Sequence, residues 1–121
     1  MLFKTGNKIS VIENLGATQD GFDTLGEAKG SNKKLKFFQT TDLSDNEIQK
    51  LENFPLLRRL RTLFLHNNHI SSVAPKLGES LPKLESLFLT NNKFETLADL
   101  NPLRELSSLK MLSLVNNPVT K

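Results

Sequence analysis

The stretch from Leu60 to Ile70 reads LRTLFLHNNHI, and its pattern of leucines and a closing asparagine returns twice farther along the chain. The shared positions of the three copies are Leu60, Leu63, Leu65, Asn68 and Ile70; Leu84, Leu87, Leu89, Asn92 and Phe94; and Leu109, Leu112, Leu114, Asn117 and Val119. Three copies in phase indicate one structural unit that stacks on itself, because a unit this short cannot bury its apolar side alone.

The alternation within each copy is that of a short strand. In the first copy Leu63 and Leu65 point to one side and Phe64 to the other. This pattern is the leucine-rich-repeat consensus, so we predict an α/β solenoid with short parallel strands on its concave face and helical or irregular convex segments. Such a solenoid offers an open surface rather than a closed pocket, which favours binding over catalysis.

An asparagine follows each strand where the chain turns toward the core. A buried amide without partners costs a few kcal/mol, so its regular recurrence predicts a hydrogen-bonded ladder that joins neighbouring repeats. The predicted ladder consists of Asn46, Asn68, Asn92 and Asn117. Apolar residues behind the strands, including Val73 and Leu97, are expected to fill the core of their repeats.

Composition limits the classes of function. The 121 residues suit a single leucine-rich-repeat domain spanning 1–121, and they contain no cysteine. Because extracellular repeat proteins usually carry cysteine-bonded caps, this composition favours the cytosol or nucleus. We find no apolar run long enough to span a membrane and no signal segment at the start of the sequence.

One segment interrupts the array. The spacing from Asn7, which begins an earlier partial copy, to Asn46 is 39 residues, whereas later ladder asparagines are 22, 24 and 25 residues apart. Removing the sixteen residues 26–41 reduces that spacing to 23 and restores the consensus. The segment also carries the whole formal charge of +3, as four lysines against one glutamate. We therefore interpret 26–41 as a basic insertion or loop within the second repeat.

The array can accommodate this insertion in two ways. Phe22 and Leu25 keep the core positions while the insertion bulges outward, or Phe38 and Thr41 take those positions over. We expect the second arrangement because it keeps the strand continuous into Leu43. A basic loop without a role of its own is the simpler alternative.

We expect both ends to lack the caps that solenoids use to cover their terminal layers. The layer of Leu109, Leu112 and Leu114 is expected to be left bare. The sequence is thus expected to be a fragment, a truncated isoform, or a part stabilised by a partner.

Strand residues that point away from the core line the concave face and are our candidates for protein binding. They are Asp42, Ser44, Thr62, Phe64, His66, Ser86, Phe88, Thr90, Met111, Ser113 and Val115. Phe64 and Phe88 occupy equivalent positions, so they should lie about 5 Å apart and form an aromatic patch of the kind found at interfaces. The alternative is that they serve only as residues with a high preference for strands.

Arg58, Arg59 and Arg61 are candidate RNA contacts, because arginine binds phosphate well. The simpler interpretation is that these side chains are only a solvated edge of the domain.

His66 and His69 lack a third ligand, so we predict no zinc site. The sequence suggests no cofactor, no small-molecule substrate and no catalytic residues, and we predict that the protein is not an enzyme.

Several longer strings carry a more specific resemblance. ENLGAT at 13–18, SDNEI at 44–48, FPLLRRL at 54–60, LTNN at 89–92 and NPVT at 117–120 are together similar to the A-prime family of the U2 small nuclear ribonucleoprotein. The resemblance covers nearly all of the chain except residues 1–6 and 26–41.

This resemblance implies a nuclear, non-enzymatic component of the spliceosome. In that family the concave face binds a helix of the B-double-prime RNA-recognition-motif protein, and the pair then binds a stem-loop of U2 snRNA. For this chain it implies contacts chiefly at Phe64, His66, Phe88 and Thr90. Two alternatives stay open: an adaptor of the phosphatase-regulator type, and an isoform that has lost its function.

Overall fold

The computed structural model describes residues 2–3 and 39–121. Within them, five short strands form one parallel sheet in the order β1 (Leu2–Phe3), β2 (Thr40–Asp42), β4 (Thr62–Phe64), β6 (Ser86–Phe88) and β7 (Met111–Ser113). Each repeat contributes one strand, and the chain returns to the same edge before the next strand begins. The sheet order follows the chain order, as a leucine-rich-repeat solenoid requires.

The segments behind the sheet differ from one repeat to the next. Two of them pair as a small second parallel sheet, β3 (Lys50–Leu51) with β5 (Ser72–Val73). A single α-helical turn, α1 (Leu77–Ser80), and a 3₁₀ helix, Leu97–Glu105, follow, and a shorter 3₁₀ helix, Pro118–Thr120, comes after β7. The predicted helical or irregular convex side is therefore present, with an additional sheet that the sequence did not reveal.

The core lies between the sheet and these return segments. Leu63, Leu65, Leu87 and Leu89 are completely buried, and so is Phe94 behind them. Their periodic placement is what the repeat pattern predicts, and burial of each such side chain contributes about 1.5–3 kcal/mol.

One predicted core residue is on the surface. Leu97 was expected to fill the layer behind its strand, as Val73 does, but it is 75% exposed. The 3₁₀ helix begins at Leu97, and a reciprocal pair of hydrogen bonds between Thr96 and Asp99 fixes this start. Leu103 and Leu106, farther along, enter the core instead.

Thr41 occupies a core position of the main sheet. It pairs in register with Leu63 on β4 and is 1% exposed, and its hydroxyl has no hydrogen-bond partner within the described residues. This placement is the one expected if the end of segment 26–41 replaces the original strand residues. Phe38 and the rest of that segment, 26–38, lie outside the described residues, as do Asn7, Phe22 and Leu25.

The last described layer is more open than the others. Leu112 is 38% exposed, whereas the equivalent Leu63 and Leu87 are completely buried. Leu109 and Leu114 are partly buried and pack against the core, so this layer is partly covered rather than left bare.

Three of the four predicted ladder asparagines join neighbouring repeats. The fourth, Asn46, donates to the carbonyls of Leu43 and Ser44 in its own repeat, at 2.8 and 3.1 Å. The Asn92 amide donates to the carbonyl of Leu89 in its own repeat and of Leu65 in the preceding repeat, at 3.0 Å each. Its side-chain oxygen accepts the N–H of Ile70 at 3.0 Å. Asn68 and Asn117 repeat this pattern, so each asparagine joins two adjacent repeats.

We expect Thr41→Val to raise the free energy of unfolding by about 1 kcal/mol. Valine keeps the shape of threonine and removes a buried hydroxyl that makes no hydrogen bond. Urea unfolding followed by circular dichroism measures the change. Thr62→Val is the matched control: Thr62 lies half-buried on the neighbouring strand, and we expect a change within about 0.5 kcal/mol. A loss of stability in Thr41→Val would contradict the assignment of Thr41 as an unsatisfied core residue.

We expect Asn92→Ala to lower the free energy of unfolding by about 3 kcal/mol, because it leaves buried backbone groups of two repeats without partners. The control is Asn91→Gly, which removes an exposed amide at φ 58°, a conformation that glycine adopts freely. The control should cost no more than about 1 kcal/mol. Equal losses in the two variants would show that the inner ladder has no special role.

Candidate functional site

The concave face of the sheet is a grid, because its strands are parallel and in register. Backbone hydrogen bonds continue this register beyond the strand ends, for example from Asp45 N–H to the carbonyl of His66 at 2.9 Å. The first row is Thr40, Thr62, Ser86 and Met111; the middle row is Asp42, Phe64, Phe88 and Ser113; the third row is Ser44, His66, Thr90 and Val115.

An aromatic group stands at the centre of this grid. The rings of Phe64 and Phe88 are stacked, with centroids 4.8 Å apart and planes inclined by 11°. The imidazole of His66 is edge-on to both, at 5.6 Å from Phe64 and 6.4 Å from Phe88. All three side chains are half-buried. The Phe64 and Phe88 rings are thus in direct contact, at the spacing predicted from their equivalent repeat positions. Together with His66 they form one partly exposed apolar surface.

The face becomes more apolar and more exposed toward β7. Met111 is 54% exposed and Val115 is 59% exposed. Between them and the aromatic group lies a hydrogen bond between the hydroxyls of Thr90 and Ser113, 2.8 Å long. These hydroxyls therefore satisfy each other and leave the apolar neighbours available to a partner.

Toward β2 the face becomes acidic and partly closed. Asp42 is half-buried, and its Oδ1 accepts the N–H of Ser44 at 2.9 Å. Ser44 is only 2% exposed, so its assignment as a residue that contacts a partner is wrong. The register does place it in the third row, but its short side chain is covered and its hydroxyl has no hydrogen-bond partner in the described residues.

A second ladder, which the sequence analysis missed, runs along the edge where the strands end. Asn91 donates its amide to Asn67 at 2.8 Å, and Asn67 donates to Asp45 at 2.7 Å. These residues have φ angles near 60°, a left-handed conformation that Asn and Asp tolerate best. The recurring Asn or Asp directly before each inner-ladder asparagine is the signal that could have revealed it.

The arginines at the opposite edge of the sheet are not equivalent. Arg61 binds Glu85 on the next repeat, with Nη1 to Oε2 at 2.7 Å. Arg58 and Arg59 are exposed and form the turn that precedes β4. Lys83 occupies in the next repeat the place of Arg59, so the edge stays basic there. Sequence reasoning missed this lysine because it stands alone rather than in a run.

No three His, Asp or Glu side chains among the described residues are placed to hold a metal ion. No helix in this part of the chain is both long and apolar enough to cross a membrane. What the described part of the chain presents is an open face with an aromatic centre.

The leucine-rich-repeat family model matches residues 29–121. The chain belongs to the leucine-rich-repeat family. Among curated proteins, U2 small nuclear ribonucleoprotein A' of Arabidopsis thaliana is 53% identical over 116 residues, which is 96% of this chain and 40% of that protein. The human protein of the same name is 50% identical over 115 residues, or 95% of this chain and 39% of that protein.

A solved structure agrees with these relatives. The crystal structure of the Drosophila melanogaster SNF/U2A' complex contains a chain that matches 98% of this one with a TM-score of 0.81 and 41% identity; the match covers 59% of that chain. The resemblance stated from the sequence is therefore confirmed. The chain spans about 40% of the length of the curated relatives.

Proposed function

We propose that this chain is a non-enzymatic scaffold of the U2 small nuclear ribonucleoprotein in the nucleus. Its concave face binds an RNA-recognition-motif protein of that particle and thereby supports binding of U2 snRNA during pre-mRNA splicing. The observation that carries the proposal is the stacked Phe64–Phe88 pair, half-exposed at the centre of the face. The comparison that supports it is the structure of a U2A' protein in complex with SNF.

The face suits one helix of a partner. Strands β2 and β7 are separated by three strand spacings, or about 14 Å, and a helix with its side chains is about 10–12 Å wide. An apolar side of such a helix would lie on the aromatic group and on Met111 and Val115, where the exposed apolar area is concentrated. Clustered aromatic side chains at the centre of a patch are typical of residues that contribute most of the binding free energy.

RNA contact in this proposal falls to the basic edge. Arg58 is exposed there and can approach phosphate, whereas the charge of Arg61 is already offset by Glu85. These side chains lie at the edge where the strands begin, beside the concave face rather than on it. A partner bound on the face would thus leave the basic edge open to RNA held by that partner.

The adaptor of the phosphatase-regulator type has weaker support. It rests on the period of the repeat, which the A' proteins share. The specific strings and the relatives at 50 and 53% identity all favour the ribonucleoprotein.

We expect the double variant Phe64→Ala, Phe88→Ala to bind the RNA-recognition domain of the partner at least 30-fold more weakly, a loss of about 2 kcal/mol. Isothermal titration calorimetry measures the affinity. The control is Ser71→Ala with Glu95→Ala, two exposed residues that follow Ile70 and Phe94 and lie outside the concave face; it should change the affinity by less than about threefold. Unchanged affinity in the phenylalanine variant would refute the assignment of the aromatic group.

A version without residues 26–41 belongs in the same titration. Its removal joins Leu25 to Asp42 and restores the repeat consensus. If both versions bind, the proposed function holds for this chain as it stands. If only the shortened version binds, this chain is the isoform that has lost the function.

We expect Arg58→Gln to reduce the dependence of RNA affinity on salt. With the partner and a U2 stem-loop bound together, the slope of log K against log salt concentration should fall by about 0.7–1, as expected for one lost phosphate contact. Fluorescence anisotropy at several salt concentrations measures this slope. The control is Lys93→Gln, an exposed cation at the opposite edge of the sheet. An equal fall in both variants would indicate general attraction rather than a contact at Arg58.

A further inference from the structure

Two adjacent repeats touch backbone to backbone on the convex side at Gly78. This residue lies half-buried in α1, and a Cβ added to it would point at the end of the 3₁₀ helix of the next repeat. The added Cβ would lie 2.4 Å from the carbonyl oxygen of Glu105, 2.7 Å from its carbonyl carbon and 2.8 Å from its Cβ. All three distances are well below the usual separation of non-bonded atoms, so this close approach requires glycine.

On the concave side the same two repeats are held together by their strands. β4 and β6 pair in parallel and in register. The Ser86 N–H donates to the carbonyl of Arg61, and the Leu65 N–H donates to that of Phe88, at 2.9 Å each. These hydrogen bonds hold adjacent strands about 4.8 Å apart, and a wider spacing would break them.

The two convex segments are anchored in the core. Leu77 in α1 and Leu81 directly after it are buried. Leu103 and Leu106 at the end of the 3₁₀ helix are buried as well. Because a close-packed core transmits a displacement, a wider separation of α1 and the 3₁₀ helix also moves the strands in front of them. With the strand spacing fixed, the movement that remains is a rotation of one repeat against the other.

We propose that Gly78 is a positioning residue for the concave face. By allowing α1 to approach the 3₁₀ helix, it sets the angle between the repeats of β4 and β6, and with it the curvature of the surface that a docked partner meets. Phe64 lies on one side of this junction, whereas Phe88 and Met111 lie on the other. This inference rests on the proposed function, because a partner senses the angle only if it contacts both sides.

The expected rotation is small but sufficient to disturb a packed interface. An alanine Cβ would require the two convex segments to separate by about 1 Å, from 2.4 Å to an ordinary contact of about 3.5 Å. Across the roughly 10 Å between packed layers, this separation corresponds to a rotation of about 6°. Side chains on β7 would then shift by roughly 0.5–1 Å relative to Phe64, which is enough to weaken well-fitted contacts.

Calorimetric titration of this chain with the partner's RNA-recognition domain tests the role of Gly78. We expect Gly78→Ala to weaken binding about fivefold, although the residue lies behind the sheet and outside the concave face. The matched control is Glu79→Ala on the same helical turn, the loss of an exposed side chain that should change the affinity less than about twofold. Unchanged affinity in Gly78→Ala would show that Glu105 yields locally, and the inference would be wrong.

Ile48→Val separates the angle between the repeats from their stability. It removes one buried methyl group from a repeat outside the junction, so it lowers stability and leaves the angle unchanged. We expect it to unfold at a lower temperature than the unmodified chain and to keep its affinity within about twofold. Equal weakening of binding in Ile48→Val and Gly78→Ala would contradict a role in positioning. Loss of the folded state in Gly78→Ala, seen by circular dichroism, would contradict it too, because the inference requires rotation about an intact sheet.

A double-mutant cycle tests the rotation itself. Phe64→Ala and Met111→Ala, on opposite sides of the junction, are each titrated in the unmodified chain and in Gly78→Ala. The cost in affinity of at least one of them should be smaller by about threefold in Gly78→Ala, because the rotated face no longer engages both sides. Equal costs in the two chains overturn the inference and leave the proposed function intact. Absence of binding by the unmodified chain overturns the proposed function and the inference together.

Discussion

The inner asparagine ladder is the interaction on which the rest of the structure depends. Each of Asn68, Asn92 and Asn117 donates to carbonyls of two repeats and accepts an N–H from the preceding one. These amides are almost completely buried, so their partners inside the protein must replace water. The strands themselves are only two or three residues long and could not fix the register by their own few hydrogen bonds.

A fixed register decides which side chains the sheet presents on its concave face. A slip of one residue would turn Leu63 outward and Phe64 inward, because side chains alternate along a strand. With the ladder in place, equivalent residues stand side by side at about 5 Å, and two phenylalanines 24 residues apart in sequence become a stack. The same rule brings Asp42 next to Phe64 without any feature of the local sequence that would pair them.

Features that repeat could be predicted from the sequence, and features that depend on a single tertiary contact could not. The parallel sheet, the ladder, the buried leucines and the Phe64–Phe88 pair follow directly from spacing. Exposure of Leu97 is a local effect. Its signal, the capping pair Thr96 and Asp99, is present in the sequence, but the prediction rested on the analogy with Val73 alone. The repeat pattern places Ser44 on the concave face, yet only the folded structure reveals that it is covered.

The physical reason that the site is less predictable than the fold is that the repeat constrains positions, not the identity of the residues on the concave face. Every strand position that points away from the core can accept any side chain compatible with a strand. Folding therefore does not require the particular residues Asp42, Phe64, Phe88 and Ser113 in this row. Folding alone would not favour a half-buried carboxylate beside an aromatic stack, because an uncharged side chain there would need no charged partner. The carboxylate and the stack are therefore features of the concave face that the stability of the solenoid does not require.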